Sequence, residues 1–123
     1  MNEYGAALSY ANAWNTYNPN DFLKLVSDDV VFNSQMWVEA IVGKKPLSEY
    51  LKGKMEAIKN STYQVSAYVG KTTKSFPEER DCTILFHSTE KTPSAIVLFE
   101  ISNNNLVTQI DLCIPELYAP VIA

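Results

Sequence analysis

This sequence has few histidines and cysteines, the side chains that most often bind transition metals. The chain contains one histidine, His87, and two cysteines, Cys82 and Cys113. A single imidazole excludes zinc sites built from paired histidines, and the cysteine spacing fits neither a zinc ribbon nor a redox pair. We therefore expect no metal and no cofactor, and we expect both thiols to be reduced.

Aromatic and small polar side chains offer a different chemistry, the binding of a small molecule. Tyr10, Trp14 and Tyr17 recur at four- and three-residue steps, which places them on one side of a helix. A pocket with apolar walls and a few hydrogen-bonding groups suits a small apolar or aromatic ligand. The predicted pocket residues are Tyr10, Trp14, Ser34, Trp37, Tyr50, Met55, Phe86, Phe99 and Thr108. The alternative is that these side chains simply fill the core.

Length and charge limit the remaining possibilities. The 123 residues predict one domain, spanning 1–123, and 46% of them are hydrophobic, which suffices for a core. Ten basic against fourteen acidic residues give a net charge of −4, so no basic field is available for nucleic acid. The sequence shows neither signal-peptide features nor an apolar run long enough to cross a membrane. We expect a cytoplasmic protein with no nucleic-acid or membrane partner.

Helical patterns occupy the first half of the chain. Asn2 is the predicted cap of a first helix with an apolar stripe of Tyr4, Ala7, Leu8, Ala11, Trp14 and Tyr17. Asn18 and Pro19 end this helix and begin a short second one, with Asn18 as its cap. Gly43 precedes a third helix, whose apolar stripe comprises Leu47, Tyr50, Leu51, Met55 and Ile58. Its lysines alternate with acidic residues, which predicts a solvated face rather than a basic patch.

Strand patterns dominate the second half. A strand is predicted over 30–34 and a second extended piece over 36–42, before the third helix. Further strands are predicted over 63–70, 80–88, 94–102 and 106–114. Helices followed by a run of strands indicate an α+β fold, in which N-terminal helices pack on a mostly antiparallel sheet.

The last hairpin predicts which sheet face is buried. A two-residue turn at Asn103 and Asn104 would pair Phe99 with Thr108, and the resulting face is almost wholly apolar. We expect that face to lie under the helices. The reverse face mixes apolar and polar groups, which predicts a homodimer interface formed by Ile96, Leu98, Glu100 and Gln109.

The strand before this hairpin can be divided in the same way. Its more apolar alternating set, predicted to face the helices, comprises Cys82, Ile84 and Phe86. The other set, predicted to face outward, comprises Thr83, Leu85 and His87. His87 would then share the outer face with Asp111 at about two strand spacings, roughly 10 Å. That separation is too large for a hydrogen bond, so we expect a histidine at a dimer interface rather than a histidine–aspartate dyad.

The order of these elements resembles the nuclear transport factor 2-like superfamily, and in particular its ketosteroid isomerase and SnoaL-like polyketide cyclase members. Three segments carry the resemblance: LVSDDVVFNS at 25–34, AIVGKKPLSEYL at 40–51 and NLVTQID at 105–111. They match a strand entry, a glycine followed by a helix, and the return strand of a hairpin. The resemblance covers essentially the whole chain. It implies a cone-shaped fold with a pocket between a curved sheet and the helices, usually in a homodimer.

The isomerase reaction of that superfamily requires a carboxylate base and acidic hydrogen-bond donors. The resemblance places the tyrosine donor on Tyr10, the base on Ser34 and the second acidic donor near Val97. A serine hydroxyl is not a base at neutral pH, and valine cannot donate a hydrogen bond. The isomerase reaction by that mechanism is therefore not expected.

Three functions remain open from the sequence. The first is a small-molecule-binding protein with an apolar, aromatic-lined pocket. The second is an enzyme of the isomerase, polyketide cyclase or dehydratase type that uses tyrosine and serine hydroxyls. The third is a non-catalytic homodimeric interaction module. An open cavity reached by Tyr10 and Ser34 would favour the first two over the third.

Overall fold

A computed structural model describes residues 1–35, 39–72, 79–87, 92–115 and 121–122. The helices in these residues are α1 Glu3–Thr16, α2 Asn20–Leu23 and α3 Lys44–Lys59. The strands are β1 Val26–Ser34, β2 Ile41–Val42, β3 Val65–Lys71, β4 Asp81–His87, β5 Ala95–Ile101, β6 Val107–Cys113 and β7 Val121–Ile122. The predicted helices and the later strands are confirmed in order. Of the extended piece predicted over 36–42, only β2 is a strand, and 36–38 lie outside the described residues.

Helix α1 is capped as predicted, but the side that it buries differs from the predicted apolar stripe. The Asn2 Oδ1 accepts a hydrogen bond from the Gly5 N–H at 2.9 Å. Tyr4 and Leu8, predicted to be buried, are 47% and 42% exposed. The buried side of the helix comprises Ala6, Ala7, Tyr10, Ala11, Ala13 and Trp14. Alanines let the backbone of α1 come close to the sheet, so its contact face centres on them and not on the largest apolar residues.

Helix α3 begins after a glycine that the local backbone requires. Gly43 has φ 104°, and its N–H donates to the Val30 carbonyl at 2.7 Å. A Cβ at Gly43 would also lie 3.3 Å from Cδ of Pro46. In the short helix α2, the Asn18 Oδ1 accepts from the Asn20 N–H at 3.0 Å, although Pro19 occupies the cap position.

The sheet within the described residues has seven strands in the order β2-β1-β6-β5-β4-β3-β7. Strands β1 and β6 are parallel, and every other described neighbouring pair is antiparallel. Helix α1 packs on β3, β4 and β5, whereas α3 packs on β1 and β2. The predicted α+β fold, with helices packed on a mostly antiparallel sheet, is confirmed. Among the described residues, no helix is long and apolar enough to cross a membrane.

The edge of β3 is closed by a side chain of α1. The Asn15 Nδ2 donates to the Ala67 carbonyl at 2.9 Å, and the Ala67 N–H donates to the Asn15 Oδ1 at 2.8 Å. The Tyr17 hydroxyl accepts from the Val65 N–H at 3.1 Å in the same way. These bonds supply partners for backbone groups that an edge strand would otherwise expose, and they fix α1 along the sheet.

The β5–β6 hairpin has a different register from the predicted one. Phe99 pairs with Ile110 rather than with Thr108, and the register shifts between Glu100 and Ile101. The turn is one residue longer than predicted, with Asn105 at φ 60°. As a consequence Thr108 leaves the inner face, and its hydroxyl donates to the Glu100 carbonyl at 3.3 Å.

Strand β4 faces the opposite way from the prediction. The fully buried Thr83 donates its hydroxyl to the Ala7 carbonyl of α1 at 2.7 Å, so Thr83, Leu85 and His87 point toward the helices. A second apolar cluster on the other face comprises Cys82, Ile84, Ile96, Leu98 and Cys113, with Phe86 packed against it. Because both faces of β4 are buried, relative hydrophobicity could not distinguish them.

The predicted dimer interface also needs correction, because the outer face of β5 is buried as well. Ile96 and Leu98 are 0% and 2% exposed in a single chain, so they are not the open interface residues that the pattern predicts. Glu100 is exposed and Gln109 is half-buried. The homodimer itself stays a prediction.

Candidate functional site

A cavity of about 120 Å³ lies between α1, α3 and the inner face of the sheet. Its apolar walls are formed by Phe32, Ile58, Val65, Leu85, Ala95 and Leu112. Its lining side chains with polar atoms are Tyr10, Trp14, Tyr50, Lys54, His87 and Ser94. A comparable apolar cavity, of about 150 Å³, holds benzene, whereas pockets for drug-sized ligands have about 300–1,000 Å³. The volume therefore suits a molecule of about one ring.

The inner end of the cavity is built from buried aromatic residues. Tyr10 is 1% exposed and makes edge-to-face contacts with Phe22 and Phe99, at centroid distances of 4.9 and 5.5 Å. Burial raises the pKa of Tyr10 well above its usual range. The Trp14 N–H beside the hydroxyl favours the deprotonated oxygen and opposes this shift, and the charge of a deprotonated Tyr50 adds to it. The Tyr10 hydroxyl is consequently protonated throughout the physiological range and available as a hydrogen-bond donor.

Trp14 presents an unusual polar atom at this inner end. The residue is 4% exposed, and its Nε1 is buried with no hydrogen-bond partner among the described residues. A buried N–H without an acceptor costs about 1–3 kcal/mol. Ser94, by contrast, donates its hydroxyl to the Leu85 carbonyl at 2.9 Å, so its oxygen faces the site mainly as an acceptor.

The outer end carries the basic groups. Lys54 and His87 line the cavity and are both exposed, and the His87 ring lies 6.3 Å from the Tyr63 ring. Tyr50 lies beside Phe32 with ring centroids 5.6 Å apart, and burial raises the pKa of its hydroxyl. Among the described residues, no aspartate or glutamate lines the cavity. Its charged and basic groups are therefore Lys54 and His87, although the chain as a whole is acidic.

Three predicted pocket residues, Tyr10, Trp14 and Tyr50, line this cavity. Met55 and Phe99 lie in the core, at 1% and 0% exposure, and are not lining residues. Both belong to the main hydrophobic core, so the alternative of core filling holds for them.

The other predicted residues lie elsewhere. Phe86 is on the opposite sheet face, with its ring 5.6 Å from that of Tyr68, because β4 faces the other way. Thr108 lies in an outer groove beside Arg80 and Glu3, because of the register shift. Ser34 is half-buried at the end of β1 and does not line the cavity, and Trp37 lies outside the described residues.

Nine of the twelve lining residues are missing from the predicted set, among them the basic residues Lys54 and His87. Lys54 could have been found, because it follows Tyr50 and precedes Ile58 by four residues each, which places all three on one helix face. His87 gives no such signal, since the pattern of β4 is apolar in both alternating sets.

The structure forms neither a His87–Asp111 pair nor the acid–base set of the isomerase reaction. His87 faces the helices, whereas Asp111 accepts hydrogen bonds from Asn33 and Gln109, each at 3.1 Å. Neither Ser34 nor Val97 lines the cavity, and Val97 is fully buried. Of the three isomerase positions, only Tyr10 lies at the cavity.

Structural comparison identifies the fold. A SnoaL-like protein of unknown function from Burkholderia thailandensis is 14% identical over 86% of this chain and 88% of its own, with a TM-score of 0.64. A candidate ketosteroid isomerase from Kribbella flavida is 18% identical over 98% and 82%, with the same score of 0.64. A computationally designed binder of 17-OHP is 16% identical over 91% and 93%, with a TM-score of 0.63. No family model matches the sequence, and no curated protein matches it significantly.

These similarities extend over most of each chain, whereas the sequences have diverged widely. The protein has the cone-shaped nuclear transport factor 2-like fold, also described as cystatin-like. The resemblance to SnoaL-like and ketosteroid isomerase-like proteins is thereby confirmed at the level of fold. Because one fold serves many functions, the function has to be argued from the cavity.

Proposed function

We propose that the protein binds a small apolar or aromatic molecule in the cavity between α1, α3 and the sheet. The observation that carries this proposal is the cavity itself, which has apolar walls, hydrogen-bonding groups at two ends and no carboxylate among its described lining residues. Such a composition is typical of small-molecule sites. A designed 17-OHP binder with the same fold supports the use of this architecture for ligand binding. The smaller cavity here favours a ligand of about one ring.

The test is to fill the cavity and measure the binding of toluene. Ala95 lines the cavity and is 6% exposed, so Ala95→Leu places three extra carbon atoms at its wall. Ala57 is exposed on α3, and Ala57→Leu is the matched control. Saturating toluene should raise the melting temperature of the native chain and of Ala57→Leu, but not that of Ala95→Leu, because binding to the folded state alone stabilises it. Equal shifts in all three proteins, or no shift in the native chain, would refute the proposal.

A second candidate function is proton transfer within the same cavity. An imidazole is the side chain most often used as a general base, and His87 lines the cavity together with the donor Tyr10. An isomerase, cyclase or dehydratase could use His87 as the base and Tyr10 to stabilise a developing negative charge on oxygen. Exchange of a ketone's α-hydrogens for deuterium, lost in His87→Gln and reduced in Tyr10→Phe, would favour this function over binding alone.

We further propose that residues 1–123 form a single domain, and that the protein acts in the cytoplasm as a homodimer. The first statement is supported by the similarity of 86% and 98% of the chain to single solved chains. Native mass spectrometry tests the dimer, since monomer alone at micromolar concentration would contradict it. A dimer formed without any retained or added ligand would favour the interaction module that the sequence leaves open.

A further inference from the structure

We infer that the ligand of this cavity is a small ring carboxylate, with its carboxylate at the Lys54 end and an acceptor oxygen at the Trp14 end. This inference rests on the proposed function and specifies the class of ligand. It draws on three features of the cavity: its charge at the outer end, the unpartnered donor at the inner end, and its volume.

The outer end is suited to a negative charge. The Lys54 ammonium lines the cavity and forms no ion pair with a described residue. His87 is the other exposed lining residue, and no acidic side chain among the described residues lines the site. A ligand carboxylate placed here keeps part of its hydration, because both side chains are exposed. The large cost of burying an ion is thereby avoided.

The inner end requires a neutral acceptor. Trp14 Nε1 is a donor only and is buried; it lies beside the Tyr10 hydroxyl, but its geometry forms no hydrogen bond with that hydroxyl or with any other described residue. Tyr10, at the same end, is held in its protonated form by burial. A hydroxyl, ether or carbonyl oxygen on the ligand would give Trp14 its missing acceptor. A charged group would not suit this position, since the lining residues Tyr10 and Trp14 are 1% and 4% exposed.

The volume restricts what lies between the two ends. About 120 Å³ accommodates one aromatic or aliphatic ring between Leu85, Ala95 and Leu112, with the carboxylate extending toward solvent. One ligand can meet both sets of polar groups only if its ring carries substituents at opposite ends. Larger ligands would have to displace wall residues that are buried in the sheet.

Four compounds separate these contributions. 4-Hydroxybenzoate carries both groups; 4-hydroxybenzamide lacks the charge; 4-methylbenzoate lacks the acceptor at equal size; and toluene lacks both. Dissociation constants from isothermal titration calorimetry should be lowest for 4-hydroxybenzoate. We expect about three- to tenfold weaker binding of the amide, and about fivefold weaker binding of 4-methylbenzoate.

Two variants assign these differences to residues. Lys54→Met should abolish the preference for 4-hydroxybenzoate over the amide, whereas the matched Lys52→Met, at an exposed lysine outside the cavity, should preserve it. Trp14→Phe should abolish the preference for 4-hydroxybenzoate over 4-methylbenzoate. If Trp14→Phe fails to fold, the comparison of the two compounds on the native chain still tests the acceptor.

The outcomes distinguish this inference from the proposed function. Toluene and the amide binding as tightly as 4-hydroxybenzoate would overturn the inference and leave the proposed function intact. A preference for 4-hydroxybenzoate that persists in Lys54→Met would overturn the assignment of the charge to Lys54. No binding of any of the four compounds would contradict both the inference and the proposed function.

Discussion

Asn15 offers a quantitative test of how α1 is held on the sheet. Its side chain makes two hydrogen bonds with the backbone of Ala67 on β3, at 2.8 and 2.9 Å. Each such bond contributes about 0.5–1.5 kcal/mol net, so their loss in Asn15→Ala should cost about 1–3 kcal/mol. Alanine is the better helix former, and this gain of up to about 0.7 kcal/mol partly offsets the loss.

Asn12 provides the matched control, because it lies three residues earlier on the same helix and is exposed. Asn12→Ala gains the same helix propensity without losing the bonds to Ala67. The difference between the two variants in free energy of unfolding therefore isolates the two bonds, and it should be about 1–3 kcal/mol.

Urea denaturation followed by circular dichroism measures this difference, with the slope m unchanged if only stability is affected. A difference below about 0.5 kcal/mol would refute the assignment of a stabilising role to the Asn15–Ala67 bonds. Because α1 carries both Tyr10 and Trp14 to the cavity, Asn15→Ala should also weaken toluene binding more than Asn12→Ala does.

Two further predictions concern the backbone and the thiols. Gly43→Ala should lower the free energy of unfolding by about 1 kcal/mol or more, because Gly43 has φ 104° and an added Cβ would lie 3.3 Å from Pro46. Urea denaturation measures this change, and an unchanged midpoint would contradict the prediction. Burial, with a smaller contribution from Asp81, raises the pKa of the Cys82 thiol to about 12, so iodoacetamide should modify this residue at pH 8 only after unfolding. Because the folded state favours the protonated thiol, the stability contributed by Cys82 should be present below about pH 9 and lost as the pH rises toward 12. If Cys82→Ala loses the same stability at high pH, Cys82 is not the cause.

The sequence predicts the elements well where a local signal is strong. The Asn2 cap, the glycine before α3 and the buried stripe of Leu47, Leu51 and Met55 are all found in the structure. These features depend on residues within one or two turns of each other, and the sequence displays such relations directly.

The sequence does not predict which way side chains point where both faces of a strand are buried. Strand β4 is apolar in both alternating sets, so the orientation of His87 and Phe86 is decided by a contact that alternation does not reveal. That contact is the hydrogen bond from Thr83 to the Ala7 carbonyl. The three asparagines likewise do not reveal the turn length, which Asn105 at positive φ sets, and so the sequence predicts the wrong sheet face for Thr108.

The candidate site is consequently predicted in part. Tyr10, Trp14 and Tyr50 lie on helices whose faces follow from spacing, and they line the cavity. Lys54 shares the helix face of Tyr50 and Ile58, so its position also follows from spacing, whereas that of His87 depends on the placement of β4 in the sheet. That placement results from packing over long sequence distances, which no local pattern encodes.

The central claim is that an open apolar cavity of about 120 Å³ lies beside Tyr10, Ala95 and Leu112. A crystal structure under xenon pressure tests this most directly, since xenon enters apolar cavities of this size. The account predicts a xenon site in contact with Ala95 and Leu112. A structure in which side chains fill this space, with no xenon between α1 and the sheet, would contradict it.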